Sequence, residues 1–160
     1  MTQVEYTVVL IQVGQCPEMY KKIKDTLDIA KGAYATEMSL MTGADEIFYK
    51  IDKDDEPEAM YCLAVDKKNT VLGFIYLETD TRTMTLWTSH VYVRPEARKK
   101  GVYSLMMKRV KKFAQDCKFR RIFSIVHTSN VVSQCAHCGA GFDSEWMGFE
   151  LYVRGEENEN

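Results

Sequence analysis

The spacing of apolar residues in the first third of the chain predicts a strand followed by a helix. Residues 5–13 are rich in β-branched and apolar side chains, which favours a strand. Pro17 suits a first helical position. Apolar residues then recur at helical spacing, at Tyr20, Ile23, Leu27 and Ala30. Residues 32–43 are less regular, and a short helix is expected at residues 45–49, before an exposed acidic loop.

The middle of the chain has the pattern of a β-meander. Residues 59–65, 71–78 and 84–93 are strand-like runs. The short polar segments 66–70 and 79–83 separate them. Because connections of this length join neighbouring antiparallel strands, we expect three consecutive strands of one sheet.

The period changes after Pro95, where a helix is predicted. One apolar stripe is formed by Val102, Met106, Val110, Phe113 and Cys117. Residues 122–126 have a buried-strand pattern, residues 130–138 that of a short helix, and residues 147–153 that of a last strand. Helices that alternate with a run of antiparallel strands indicate an α/β (α+β) fold.

Length and composition fit a single domain. The chain has 160 residues, 46% of them hydrophobic, which is enough for one ordinary core. We assign residues 1–154 to this domain and expect the acidic tail 155–160 to be disordered. The net charge of -2 does not suggest a nucleic-acid partner. Without a signal peptide or a long apolar run, we expect no membrane association and a cytoplasmic protein.

The cysteines are expected to be free thiols. The chain has five of them, at Cys16, Cys62, Cys117, Cys135 and Cys138. An odd set in a reducing compartment argues against structural disulfides. Cys135 and Cys138 form a CxxC pair, but no second pair completes the four ligands of a structural zinc site, so we expect no bound metal.

Positive charge is concentrated where the meander turns into the helix. Eleven basic and two acidic residues lie between positions 94 and 121. Such a run often marks only a solvated helix face. Here it begins at a turn from strand to helix, where Gly101 would let backbone approach a ligand closely. Exposed amides at a helix start, together with its dipole, attract phosphate groups.

Two segments resemble the GNAT superfamily of acyl-coenzyme A N-acyltransferases. The first is Val-x-Pro-x-x-Arg-x-x-Gly, which is formed here by Val93, Pro95, Arg98 and Gly101. The second has the spacing of that family's Asn-x-x-Ala…Tyr…Gly-Phe stretch, at Asn130, Ser133, His137, Gly141 and Phe142. The resemblance covers residues 59–153 well and the N-terminal part only in the order of elements. It implies a mixed, mostly antiparallel sheet of about six or seven strands, with the fourth and fifth strands splayed.

The resemblance also implies a binding site for acetyl-coenzyme A. Backbone groups of Val91 and Val93 would bind the pantetheine arm and polarise the thioester carbonyl. Asn130 and Ser133 would lie against pantetheine from the opposite side. The pyrophosphate would be held around the turn and the helix start, by Arg98, Lys99, Lys100, Gly101, Val102, Tyr103 and Ser104.

Three residues depart from the family pattern, and the replacement of alanine by Ser133 is the mild one. Tyr103 replaces a small residue, and its ring would either crowd the pyrophosphate or point into the core. His137 stands where a tyrosine commonly protonates the departing thiolate, and imidazole can donate a proton near neutral pH. A capping or surface role is the alternative reading of His137.

Two further candidates could activate the acceptor. His90 lies late in the fourth predicted strand and could act as the base, directly or through water. Ser89 could hold such a water. A strand histidine satisfied by its neighbours is an equal alternative, and His127 is expected only to end the fifth strand.

The resemblance implies direct acetyl transfer to an amine, without a covalent acyl-enzyme. The acceptor, a small molecule or a protein, cannot be read from the sequence. The sequence is compatible with a monomer or a homodimer. A non-catalytic acyl-coenzyme A sensor, or a protein-interaction module with a basic docking helix, stays open as an alternative.

Overall fold

The protein is represented by a computed structural model that describes residues 5–145 and 148–152. Its helices are α1 (Pro17–Thr42), α2 (Val102–Asp116) and α3 (Val131–Gly139), with short 3-10 turns at Glu46–Tyr49 and Pro95–Ala97. Its strands are β1 (Tyr6–Gln12), β2 (Met60–Asp66), β3 (Val71–Asp80), β4 (Thr85–Val93), β5 (Arg121–Ile125), β6 (Asp143–Glu145) and β7 (Gly148–Tyr152). Within these segments no helix is both long and apolar enough to cross a bilayer.

The described strands form one mixed sheet of seven, in the order β1-β2-β3-β4-β5-β7-β6. The first four pair antiparallel with their neighbours, and the short polar connections predict this for β2, β3 and β4. β5 runs parallel to β4, because α2 intervenes and returns the chain to the same end of the sheet. The α/β fold class and the mostly antiparallel sheet are therefore confirmed.

The sheet is covered on both faces. Alternate residues of a strand point to opposite sides, so Tyr61 and Leu63 pack with α1 while Cys62 and Ala64 pack with α2. All four are fully buried, and burial of a large apolar side chain stabilises a fold by about 1.5–3 kcal/mol. Two hydrophobic layers consequently hold the central strands. A site can therefore be built only at the edges of this packed core.

The prediction that α1 ends near Gly32 is wrong. The helix continues to Thr42 and ends at Gly43, which has a left-handed φ of 74°. A glycine inside a helix costs about 1 kcal/mol, but Tyr34 and Met38 continue the buried stripe beyond it. Packing of these side chains offsets the cost of Gly32. The extension matters because it carries α1 across the sheet to β4.

The predicted stripe of α2 is confirmed in its first turns and wrong at its end. Val102, Met106 and Val110 are buried, whereas Phe113 is half-buried and Cys117 is exposed just after the helix. Because a helix advances 3.6 residues per turn, other residues fill the stripe, namely Met107 and Ala114.

The last part of the chain is only partly predicted. Residues 148–152 form β7 within the predicted last strand, but the three-residue strand Asp143–Glu145 was not expected. A strand this short has no readable period. The expected disorder of residues 155–160 and the outer ends of the predicted last strand lie outside the described residues.

Candidate active site

β4 and β5 separate along their length. Only three residue pairs join them, and the last connects Trp87 with Phe123, whose rings pack edge-on at 4.6 Å between centroids. β4 continues for six residues beyond this pair, to Val93, without pairing to β5. The expected splay of the fourth and fifth strands is confirmed. It exposes the backbone of both strands to a cleft.

The cleft is closed on its other sides by α1 and α3. It encloses about 40 Å³, which holds only a few water molecules. The Asn130 amide nitrogen lies 3.7 Å from the Met38 sulfur, so the two helices meet across it. Its walls would have to separate to admit a chain-like ligand. The residues that line it from β4, β5 and α3 include Ser89, Val91, Ser124, Val126, Ser133 and His137.

A β-bulge shapes β4 beside the cleft. Tyr76 pairs with His90 and the next residue, Leu77, pairs with Thr88, so Ser89 has no partner on β3. The extra residue bends the strand and changes the direction of the side chains after it. The Ser89 hydroxyl donates a hydrogen bond to the Glu78 carboxylate.

The turn after β4 ends at an uncapped helix start. Gly101 precedes α2 with a left-handed φ of 78°, and no atom lies within 4 Å of the position where a side chain would begin. It has no side chain with which to cap the first amides of α2. Lys99 and Lys100 are exposed beside it. The turn therefore combines exposed amides, a helix dipole and two cations, as an anion site requires.

Arg98 lies in the same turn, but its side chain is held by protein groups. Its guanidinium contacts both Glu37 carboxylate oxygens, at 2.6 and 2.9 Å, and Nε donates to the Val93 carbonyl at 2.8 Å. It also stacks over Tyr92, 5.6 Å from the ring centroid. Arg98 thus fastens the end of β4 to α1, and the mobile charge of the turn comes from its two lysines.

Tyr103 points into the protein, away from the turn that precedes α2. Its ring packs on the α2 side of the sheet and lies 5.5 Å from the His137 ring between centroids. Burial raises the pKa of its phenol. Among the described residues it carries the one buried side-chain oxygen or nitrogen without a hydrogen-bond partner. Of the two orientations expected for this ring, the structure has the one that leaves the turn open.

Asn130 begins α3 as a capping residue. Its side-chain oxygen accepts from the Ser133 amide at 3.1 Å, which satisfies one of the first donors of the helix. Both residues line the cleft, as the sequence motif predicts. Helix capping thus fixes Asn130, while its amide nitrogen faces Met38.

His137 is buried in α3, and both of its ring nitrogens are hydrogen-bonded. Nδ1 lies 2.7 Å from the Ser133 carbonyl, which can only accept, so Nδ1 carries a proton. Nε2 lies 3.0 Å from the Ser124 hydroxyl. Burial lowers the pKa of His137, with the Ser133 carbonyl acting in the opposite sense. The neutral ring therefore donates to the Ser133 carbonyl, while its Nε2 competes with the Thr88 carbonyl, 3.2 Å from the Ser124 hydroxyl, for the single proton of that hydroxyl.

His90 packs against α1 through Tyr34, which lines the cleft. Its Nδ1 lies 3.1 Å from the Tyr34 hydroxyl, and the Tyr76 ring also packs against it. Burial lowers the pKa of His90, while the negative charges of Glu78 and Asp52 raise it. No described residue forms a hydrogen bond to its Nε2. When Nδ1 donates to Tyr34, the Nε2 lone pair can accept a proton.

Several residues of the site were not found from the sequence. Tyr34 and Met38 lie four and eight positions after Ala30, so the helical period could have placed them had it been followed past Gly32. No sequence signal indicates Glu37 or Ser124, because their partners are distant in the chain.

Cys135 and Cys138 are exposed free thiols on α3, and Cys117 is also exposed. Only Cys62 is buried, where burial raises the pKa of its thiol to about 12. Among residues 5–145 and 148–152, no three histidine, cysteine or acidic side chains come together as a metal site would require.

Comparison with known proteins shows which family has this fold. A comparison with curated protein sequences finds no significant match. An N-acetyltransferase from Staphylococcus aureus Mu50 has a similar structure, with a TM-score of 0.65, 16% identity, and 94% and 99% of the two chains covered. The CoA-dependent acyl-homoserine lactone synthase BjaI, solved with SAM and isopentyl-CoA, gives 0.68 at 14% identity, over 94% and 84% of the chains.

A third similar structure, from Bacillus anthracis str. Ames, was solved in complex with acetyl coenzyme A. It has a TM-score of 0.55 at 16% identity, over 60% of this chain and 64% of its own. These likenesses show a shared fold. The model of the acetyltransferase (GNAT) family matches residues 24–142. This match spans most of the chain and includes both the turn before α2 and α3, so the protein is a member of the GNAT family of acetyltransferases.

Proposed function

We propose that this protein transfers an acetyl group from acetyl-coenzyme A to an amine by direct attack in a ternary complex. The observation that carries the proposal is the cleft between β4 and β5, which lies between the uncapped start of α2 and the His90–Tyr34 pair. A donor with its phosphates at α2 and its thioester in the cleft would present the acyl carbon to an acceptor on the α1 side.

The donor would be bound mainly by backbone. A pyrophosphate would accept hydrogen bonds from the amides at the start of α2, which are those of Gly101, Val102, Tyr103 and Ser104. The positive charges of Lys99 and Lys100 would partly neutralise it. Val91 lies in the part of β4 that pairs with β3 but not with β5, and it lines the cleft, where its backbone would bind pantetheine. Arg98 would act indirectly, because it holds the Val93 carbonyl in place.

The acceptor must lose a proton, because an ammonium has no lone pair with which to attack. His90 is assigned as the base, directly or through a water held near Ser89. The amine nitrogen forms a bond to the thioester carbon, the C–S bond breaks, and the coenzyme A thiolate takes up a proton. We assign that proton to His137. Holding both reactants in one cleft removes an entropy barrier.

Binding and turnover distinguish this function from its rivals. Calorimetry with acetyl-coenzyme A tests the donor site, and mass spectrometry of acetylated product tests transfer to a panel of amines and peptides. The enzyme binds the donor and forms product. Binding without turnover would indicate an acyl-coenzyme A sensor. The alternative is supported by His137, because both of its ring nitrogens already have hydrogen-bond partners within the protein. Absence of binding would indicate an interaction module.

A further inference from the structure

Large apolar side chains that normally lie inside a protein are exposed around the cleft. The described residues include nine such side chains. One of them, Ile125, lines the cleft, and six others lie at the end of α1, in the 3-10 turn bonded to α1 and at the start of α3. On the α1 side they are Leu40, Met41, Ile47 and Phe48. On the β5 and α3 side they are Ile125, Val131 and Val132. We call these seven residues the apolar collar.

The two halves of the collar meet at the cleft. Met38 contacts Asn130 across it, and Leu40 and Met41 follow in the last turn of α1. Val131 and Val132 come directly after Asn130, at the start of α3. Ile125 lines the cleft itself. Ile125 therefore joins the collar to the cleft, and the other six residues lie on the end of α1, its 3-10 turn and the start of α3.

Ile47 and Phe48 belong to the collar because hydrogen bonds hold their turn against α1. Glu46 accepts from the Thr36 hydroxyl at 2.9 Å, and the Tyr49 hydroxyl lies 2.6 Å from that of Thr42. Phe48 is nevertheless 73% exposed between these two anchors. An anchored turn that presents a phenylalanine to solvent is a feature of interaction surfaces.

Negative charge lies next to the collar. The Glu78 carboxylate accepts a hydrogen bond from Ser89, which lines the cleft, and the negative charges of Glu78 and Asp52 both raise the pKa of His90. Asp54 and Asp55, which follow Asp52 in the chain, form ion pairs with Lys31 and Lys24 of α1, respectively. Their negative charge is therefore largely compensated within the protein. The side of the site that faces His90 is consequently acidic, which complements a protonated amine.

On these observations, and on the condition that the function proposed above is correct, we propose that the acceptor is a peptide segment whose amine lies next to apolar side chains. The amine is attracted by Asp52 and Glu78 and reaches His90, while the neighbouring side chains bury the collar. A small amine would cover only part of a surface that runs from the 3-10 turn to α3. The collar thus selects peptides by hydrophobicity next to the amine.

A matched set of peptides tests the proposal. Each has a free N-terminus and one lysine, so both kinds of amine are offered. One set has leucine and phenylalanine next to the amines, and the other has serine and asparagine. We expect kcat/KM to be at least tenfold higher for the apolar set, through a lower KM. Phe48→Ser and Val132→Ser should remove most of this preference, whereas Ile29→Ser, exposed on α1 outside the collar, should retain it.

Peptide binding is also measured by fluorescence anisotropy without donor, so the collar is tested even if acetyl-coenzyme A is not bound. Equal binding and turnover of both peptide sets would overturn the proposal, as would turnover of small arylalkylamines alone. A concentration-dependent dimer that Phe48→Ser dissociates would assign the collar to a second copy of the chain instead. Failure to bind acetyl-coenzyme A in calorimetry, with apolar peptides still bound, would refute the proposed enzyme and leave the peptide surface.

Discussion

His90 and Tyr34 share a hydrogen bond of 3.1 Å that joins β4 to the far half of α1, with their rings edge-on at 5.5 Å between centroids. This contact exists only because α1 continues past Gly32. Burial keeps the Tyr34 phenol protonated by raising its pKa, with Tyr49 adding to the effect. The phenol oxygen can therefore accept from Nδ1 and leave Nε2 of His90 as the basic atom.

The first prediction concerns His90 as the base. His90→Gln should lower kcat by about 100-fold to 10,000-fold near neutral pH, as loss of a general base does. Since burial lowers the pKa of His90, the parent should lose activity only as the pH falls below the ordinary histidine range. Tyr34→Phe retains the ring and should cost less than His90→Gln. Parent-like turnover by His90→Gln across this pH range would reassign the base to water.

The second prediction concerns the phosphate-binding turn. Gly101→Asp should weaken acetyl-coenzyme A binding strongly, because it places a negative charge at the expected anion site. Gly43→Asp is the matched control, since both glycines have a left-handed φ and open space around them. Both variants should lose about 1 kcal/mol of stability from backbone strain. Gly101→Asn adds a side chain of similar size without the negative charge, so its comparison with Gly101→Asp separates the effect of charge from that of bulk.

Calorimetry with the folded variants measures this effect. Unchanged donor affinity in Gly101→Asp would remove the basis for the site at the start of α2. Equal weakening by Gly43→Asp would attribute the effect to the fold in general.

The sequence predicts those parts of the fold that depend on local periodicity. Strand β1, the β2–β4 meander and the start of α2 are predictable because alternation and helical spacing are properties of neighbouring residues. The second half of α1 was missed because Gly32 breaks the local pattern, while the packing that restores it involves Tyr34 with Phe74 and Tyr92 on distant strands.

The same division holds for the site. The residues picked out by motif spacing, Asn130, Ser133 and Val91, line one cleft, and their binding role stays a prediction. It could not show that the Arg98 guanidinium pairs with Glu37, a residue 61 positions away. Side-chain partners are set by the three-dimensional path of the chain, which the motif does not encode.

The third prediction concerns metal. Cys135 and Cys138 should be incidental thiols, so protein purified without added metal should contain no stoichiometric zinc by elemental analysis. One zinc per chain that is lost in Cys135→Ser/Cys138→Ser would overturn this expectation. Cys117→Ser, which removes another exposed thiol outside α3, is the control.

The fourth prediction links His137 to stability. Its pKa is lowered in the folded protein, so below the ordinary value near 6.5 the unfolded chain binds more protons. The stabilisation of the neutral, buried ring is thus complete above about pH 6.5 and is lost as the pH falls through the lowered pKa. Urea unfolding at pH 7.5 and 5.5 should show a smaller acid loss in His137→Gln than in the parent. His127→Gln, at an exposed histidine, should behave like the parent, and an unchanged acid loss in His137→Gln would contradict the assignment.

The fifth prediction concerns His137 as the proton donor to the coenzyme A thiolate. In the neutral ring the Nδ1 proton is already donated to the Ser133 carbonyl, so the acidic form is the imidazolium, which burial disfavours. The Ser133 hydroxyl, 3.3 Å from Nδ1, offers a path from that ring to the cleft. If the role is correct, His137→Phe should lower kcat by about 100-fold to 10,000-fold with little change in donor affinity. His137→Tyr retains a proton and should keep much more activity. Ser133→Ala should lower kcat in the same direction, since it removes the path.

A thiolate is a good leaving group and needs little help from an acid. If His137→Phe therefore turned over acetyl-coenzyme A at the parental rate, water would be the donor, and the hydrogen bonds from His137 to Ser124 and Ser133 would serve to fix α3 against β5.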